Sequence, residues 1–171
     1  MTKLNSLDDL LVHELRDIYN AEKQLTTALP RMAKAAESPE LRKAFETHLK
    51  ETEGQIERLE RCFELLGIPV RGKKCEGMAG LVEEGKSVME MEGDASVLDA
   101  ALIASAQKVE HYEIASYGCL ATYAEMLGYD QVKKLLGQNL AEEEATDEKL
   151  TALAERGINQ QAEAPARGGA R

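Results

Sequence analysis

The amino-acid sequence predicts an all-α protein, a four-helix bundle whose two hairpins are joined by one long crossover carrying a short extra helix. Three observations carry that expectation. Apolar residues recur at helical spacing through four long stretches, turn signals group those stretches in pairs, and the composition is poor in strand formers. Of 171 residues only 4% are aromatic and none is Trp, while Ala, Leu, Glu and Lys, all good helix formers, dominate.

Hydrophobic residues make up 43% of the chain and charged residues 30%, ordinary proportions for one globular domain with a real core. The bundle is expected over 4–157, with 158–171 as a small, polar, disordered tail. A formal net charge of −10 with no basic stripe argues against a nucleic-acid partner. It suits a surface that collects cations, and equally one that is merely well solvated. No segment approaches the ~20 apolar residues of a membrane span, and Met1-Thr2-Lys3-Leu4 opens no signal-peptide core, so the expected compartment is the cytoplasm. Cys62, Cys75 and Cys119 are odd in number and widely spaced, which reads as reduced thiols.

The first helix is expected from Leu7 to Ala36. Ser6 caps it, Asp8 and Asp9 suit the positive end of its dipole, and Pro30 should kink or locally break it. Ser38-Pro39-Glu40 restarts the chain with a cap, Pro at the first helical position and an acid. The second helix runs to Leu66 and stops at Gly67-Ile68-Pro69. Residues 67–95 connect the hairpins, with a short helix over Met78–Met91 that Gly80 and Gly85 weaken. The third helix spans Val97–Leu127, Gly128 ends it, and Asp130 caps a fourth that ends near Gly157. Two hairpins with one long crossover is ferritin-like connectivity. A faint internal repeat, with Ala21-Glu22 matching Val109-Glu110 and Leu49-x-Glu51-x-Glu53 matching Leu140-x-Glu142-x-Glu144, agrees with two similar helix pairs face to face.

Acids interrupt the apolar stripes at mid-length. In the third helix the stripe runs through Leu102, Ala106, Val109, Leu120 and Ala124, with Glu113 at its centre and Glu110 about 60° to one side. In the fourth, Glu143 and Asp147 lie within roughly 20° of the stripe axis. In the first, Glu22 replaces an apolar residue between Ile18 and Leu25. In the second, His48 and Gln55 flank the stripe, with Glu51 further round. Buried carboxylates are costly unless something positive meets them, and no Lys or Arg shares these faces. Several acids without bases would have to be largely protonated, so a bound metal is the cheaper account. His111 points about 160° away from its stripe and reads as a surface or dimer contact. Tyr117, one turn beyond Glu113, reads as packing with the reach to hydrogen-bond a ligand.

These stretches resemble the YciF-like branch of the ferritin-like superfamily over residues 4–157. The resemblance lies in Asp17-Ile18-Tyr19-Asn20-Ala21-Glu22-Lys23-Gln24-Leu25, His48-Leu49-Lys50-Glu51-Thr52-Glu53-Gly54-Gln55, Gln107-Lys108-Val109-Glu110-His111-Tyr112-Glu113, and Ala145-Thr146-Asp147-Glu148-Lys149-Leu150. It implies a rubrerythrin-like two-metal site, a homodimer and a role in stress responses. In the rubrerythrin-like pattern Glu22 matches the first-helix ligand, Glu110 and Glu113 the third, and Glu143 with Asp147 the fourth, Asp standing in place of His. The second helix departs from the pattern, with the order His48-x-x-Glu51 and with Glu53 and Gln55 nearby. No Cys module is attached to serve as an electron donor.

The metal candidates are therefore Glu22, His48, Glu51, Glu110, Glu113, Glu143 and Asp147, holding two Fe ions or, alternatively, Mn. Glu113 is expected to bridge, Glu22 and Asp147 to be terminal, and Glu110 and Glu143 to complete the shell. The expected function is a di-iron protein that oxidises Fe²⁺ or reduces peroxide, with dioxygen or peroxide as the small-molecule substrate. Metal binding or storage without turnover, and a helical interaction module, are the alternatives.

Overall fold

The computed structural model describes residues 3–163. Its helices are α1 (Leu7–Ala35), α2 (Pro39–Leu65), α3 (Glu76–Met89), α4 (Ala95–Met126) and α5 (Asp130–Leu153), followed by a π-helical turn at Ala154–Ile158 and a short α6 (Asn159–Glu163). Helices α1, α2, α4 and α5 form the bundle. α1 packs on α2, α2 on α5, α5 on α4 and α4 back on α1, while α3 lies over α1 and α4.

Local chemistry sets most boundaries. Ser6 accepts a hydrogen bond from Asp9 N at 3.0 Å and Ser38 one from Leu41 N at 3.3 Å, each satisfying an otherwise orphaned first-turn amide. At the other ends, Gly67 (φ 67°) and Gly128 (φ 76°) take the left-handed conformation. Each closes its helix with paired reversed bonds, Ile68 N to Phe63 O with Gly67 N to Glu64 O, and Tyr129 N to Ala124 O with Gly128 N to Glu125 O.

Three expectations need correction. Pro30 does not break α1, which continues to Ala35; the ring sits on the exposed face, where water can reach the carbonyl it leaves unpaired. Asp130 is the first helical residue rather than the cap of α5. Tyr129 holds the cap position without a side-chain bond, and Asp130 contributes through the helix dipole. The expected disordered tail does not hold for 159–163, because buried Ala154 and Ile158 anchor the π turn and carry the chain into α6, which packs on α4. The rest of that tail lies outside the described residues.

The direction of the crossover follows from its end contacts. Asp99, buried near the start of α4, accepts from Glu37 N at 2.9 Å and Ser38 N at 2.7 Å in the α1–α2 turn. Tyr129 at the α4–α5 turn donates to Asp8 at the start of α1, 3.0 Å away. The chain leaving α2 must therefore travel the length of the bundle before α4 begins. On the way it is fastened to α1: Lys73 N donates to Arg16 O at 3.0 Å, Cys75 N to Asn20 Oδ1 at 2.8 Å, and Gln24 Nε2 to Cys75 O at 3.1 Å. Tyr112 of α4 lies beneath this segment, donating to Asp17 Oδ2 at 2.9 Å with its hydroxyl 3.0 Å from Cys75 Sγ. A Cβ on Gly77 would come within 2.7 Å of that ring, so only glycine lets α3 settle this close.

Two apolar zones fill the bundle. Leu11, Leu15, Leu59, Phe63, Leu120 and Leu136 pack one end, and Leu29, Phe45, Leu41, Leu102 and Leu150 the other. The acids noted in the sequence fall between them.

The Asp99 bonds link two chain segments that are remote in sequence. Asp99→Ala should lower stability by roughly 2–3 kcal/mol, since it strands two amides that a carboxylate satisfied. Chemical denaturation checks this; an unchanged midpoint would show the clasp to be dispensable.

Candidate metal centre

Four helices bring ionisable side chains to the middle of the core. Glu22 comes from α1, His48 from α2, Glu110 and Glu113 from α4, and Glu143 from α5, and all five are buried. One ligand atom from each of His48, Glu110, Glu113 and Glu143 lies within 4.8 Å of the others. His48 Nε2 is 3.3 Å from Glu110 Oε1 and 3.8 Å from Glu143 Oε2. Glu22 stands beside this group and accepts a hydrogen bond from the buried Tyr117 hydroxyl. Tyr117 is thus more than packing, and its reach across the core to α1 is what the sequence left open.

The donor set is unpaired to an unusual degree. Both oxygens of Glu113 and of Glu143, Glu22 Oε2, Glu110 Oε2 and His48 Nε2 are buried without hydrogen-bond partners. Buried polar atoms are nearly always paired, and among the described residues no Lys or Arg forms an ion pair with these four carboxylates. One imidazole faces four acids, a balance that a divalent cation would correct.

The protonation pattern follows from this crowding. Burial first, then the neighbouring carboxylates Glu22, Glu143 and Glu110, hold the Glu113 carboxyl well above the usual range. Glu143 is raised mainly by burial, with Glu110 and Glu22 adding to it and His48 opposing. Burial pushes Glu22 up to about 7 against the opposing Tyr117 bond and His48 charge. For His48, burial alone would depress the imidazole, but Glu110, Glu51 and Glu143 hold it well above its ordinary value.

Glu51 and Asp147 are not drawn into the group. The Glu51 side chain is 31% exposed, 3.6 Å from His48 Nδ1 and 3.9 Å from Lys149 Nζ, and the His48 bond holds its carboxyl below the usual range. The Asp147 side chain is 21% exposed, accepts from Gln107 Nε2 at 3.2 Å and faces His111 Nε2 at 3.4 Å. Four residues beyond Glu143 turn the helix about 40° past that residue; Thr146, three beyond, is the buried one, 3.5 Å from His48 Nδ1. On α2, Glu53 is exposed, and Gln55 and Thr52 are buried with unpartnered side-chain polar atoms. His111 and Tyr112 both have partners within the chain, so neither gives a separate reason for a second copy.

The internal repeat explains why the ligands crowd to one side. Aligning Glu22 with Glu110 sets Leu25 opposite Glu113. Aligning Leu49 with Leu140 sets His48 opposite Asn139 and Thr52 opposite Glu143. One half of the repeat keeps acids where the other has a leucine and a threonine. Asn139 itself is committed elsewhere, accepting from Arg58 and donating to Gln55 O at 3.3 Å.

Known proteins agree with this fold. The family model described as "Domain of unknown function (DUF892)" matches residues 6–163. Protein YciF of Escherichia coli (strain K12) is 51% identical over 161 residues, covering 94% of this chain and 97% of that protein. The crystal structure of the E. coli stress protein YciF superposes with a TM-score of 0.88, covering 92% of this chain and 99% of that one. YcfI from Rhodopseudomonas palustris gives a TM-score of 0.84 at 46% identity, covering 87% and 95%. With a helical bundle matched along almost its whole length and a buried His/Glu cluster able to hold a metal, the chain belongs to the YciF-like family, DUF892.

Proposed function

We propose that the chain is a di-iron, or alternatively di-manganese, carboxylate protein that oxidises Fe²⁺ or reduces peroxide. The observation that carries this reading is the buried group of His48, Glu110, Glu113 and Glu143, within 4.8 Å and without a compensating cation. Oxygen-rich donors with a single imidazole suit iron or manganese better than copper or structural zinc. The stress-protein description of YciF is in keeping with peroxide chemistry.

His48, Glu110, Glu113 and Glu143 would hold one ion, and Glu22 with a shared Glu113 would hold the second. Two ferrous ions there would supply the two electrons that, with two protons, turn hydrogen peroxide into two waters. The residues supply the rest. Tyr117 fixes Glu22 by donating to one oxygen and leaving the other free. Thr146 flanks His48 Nδ1, so the ring presents Nε2 to the acids. Glu113, with neither oxygen hydrogen-bonded, would be available to both ions. The apolar zones above and below keep bulk water from the site and so sharpen every charge interaction within it.

A second reading, metal binding without turnover, rests on the repeat: only one four-residue shell is complete, and Glu22 lies outside it. Anaerobic Fe²⁺ titration separates the two. The di-iron reading expects about two ions per chain; a single ion would favour mononuclear binding, and none would remove the metal reading.

Glu113→Leu should abolish binding of the second ion and any peroxide-driven oxidation. It should also leave the metal-free bundle as stable or more so, by up to ~1–4 kcal/mol, because Leu matches its size and needs no partner. A destabilised variant that still binds two irons would contradict the bridging role.

Stability of the metal-free protein should depend on pH in one direction. Glu22, Glu113, Glu143 and His48 all bind their protons more tightly folded than unfolded. For Glu22 the window lies between its ordinary 4.5 and about 7. Its stabilisation is complete below that window and is lost as pH rises through it, roughly 3 kcal/mol in all. Urea denaturation of chelator-treated protein at about pH 6 and pH 8 should show the loss, with a shallower slope in Glu113→Leu. Metal binding runs the opposite way, strengthening with pH as protons are displaced.

A further inference from the structure

Between α1, α3 and α4 lies a cavity of about 240 Å³ with no part in the proposed chemistry. Leu25, Ala28, Met32, Leu81, Met89 and Val109 line its body. Gly85 of α3 also faces it: the residue is buried, yet a Cβ built on it would meet nothing within 4 Å. The space is therefore open on the side of the crossover helix, beside Gly85.

The mouth is polar and mainly basic. Arg31 and Lys86, both exposed, line the cavity and also the adjoining surface depression, where Lys34 joins them. Glu83 and Glu90 are the acids at the same mouth, and Glu83 is engaged by Lys86 at 3.3 Å. Among the described residues neither Arg31 nor Lys34 enters an ion pair. Unpaired cations gathered at an apolar opening stand out on a chain of net charge −10.

We propose that this cavity binds a medium-chain alkyl carboxylate, its chain among the apolar side chains and its head group at Arg31. Apolar pockets take their affinity from the buried body and their orientation from a few polar groups at the rim. A guanidinium grips a planar carboxylate with two parallel hydrogen bonds, which a surface lysine cannot do. The site stands independently of any metal, although its wall reaches the centre: Leu25 lies one turn from Glu22 and Val109 adjoins Glu110.

The probe is octanoate, titrated into the chelator-treated full chain by calorimetry, with ¹³C-methyl methionine NMR to locate it. The expected result is saturable binding with a Kd of roughly 0.1–1 mM, ordinary for so small a ligand. The Met32 and Met89 methyls should shift and the exposed Met91 and Met126 should not. Octylamine, of the same length and opposite charge, should bind about tenfold more weakly, and Arg31→Glu should cost octanoate a similar factor. Gly85→Leu, whose Cβ meets nothing within 4 Å and whose side chain suits a helix, should abolish binding while leaving the fold intact by circular dichroism. No saturable binding, equal affinity for the amine, indifference to Arg31→Glu, or shifts confined to other methionines would each overturn the proposal.

Discussion

Everything in this bundle is arranged around a charge imbalance in its core. Four carboxylates face one imidazole where water cannot reach them. Desolvation makes such an arrangement expensive unless protons or a cation neutralise it. The apolar zones at either end carry the cost: they dock four helices firmly enough that the middle can be spent on chemistry instead of packing. Tyr117, Thr146 and Asn139 pair Glu22 Oε1, His48 Nδ1 and Gln55 O, while most of the carboxylate oxygens stay without partners.

The crossover plays a different part. It could have been a slack loop, yet it is tied to α1 at Arg16, Asn20 and Gln24, and to α4 through Tyr112. Those bonds place α3 at one fixed height over the α1–α4 seam. α3 lies against Tyr112 at Gly77 and buries Met78 beside it, while next to Gly85 a cavity remains between α3 and the seam. The bundle's two ends are set by contacts of the same kind, Asp99 holding one turn and Tyr129 the other.

Much of this could be read from the residues alone. Stripes at helical spacing, Ser-x-x caps and Gly stops act locally and put the helices within a residue or two of their observed ends, except that α5 stops at Leu153 and passes into the π turn before the expected stop at Gly157. Glu22, Glu110, Glu113 and Glu143 were legible for the same reason: an acid on an apolar stripe is anomalous whatever the fold. What depends on two helices meeting was not legible. Asp147 sits on the stripe by periodicity but is claimed by Gln107 and His111, while Thr146 takes the inward place. Of the four α2 candidates His48 is the one that meets Glu110 and Glu143, which come to it from other helices. Nothing local to Asp99 signals that the α1–α2 turn lies against it.

The broken repeat has a consequence for how the centre would fill. A symmetric pair of half-sites would offer two ions equal shelter, and they would enter together. If the centre takes two ions, one position would have three carboxylates and an imidazole, while its counterpart would have Glu22 and whatever Glu113 lends. The first ion would cancel most of the repulsion among the acids and leave little negative charge to attract the next. Occupancy would be stepwise, with a half-loaded protein as a distinct species across a broad span of metal concentration. On the di-iron reading proposed above, such a protein would answer to the supply of metal as much as to the oxidant, since redox capacity would require the weaker position to be filled.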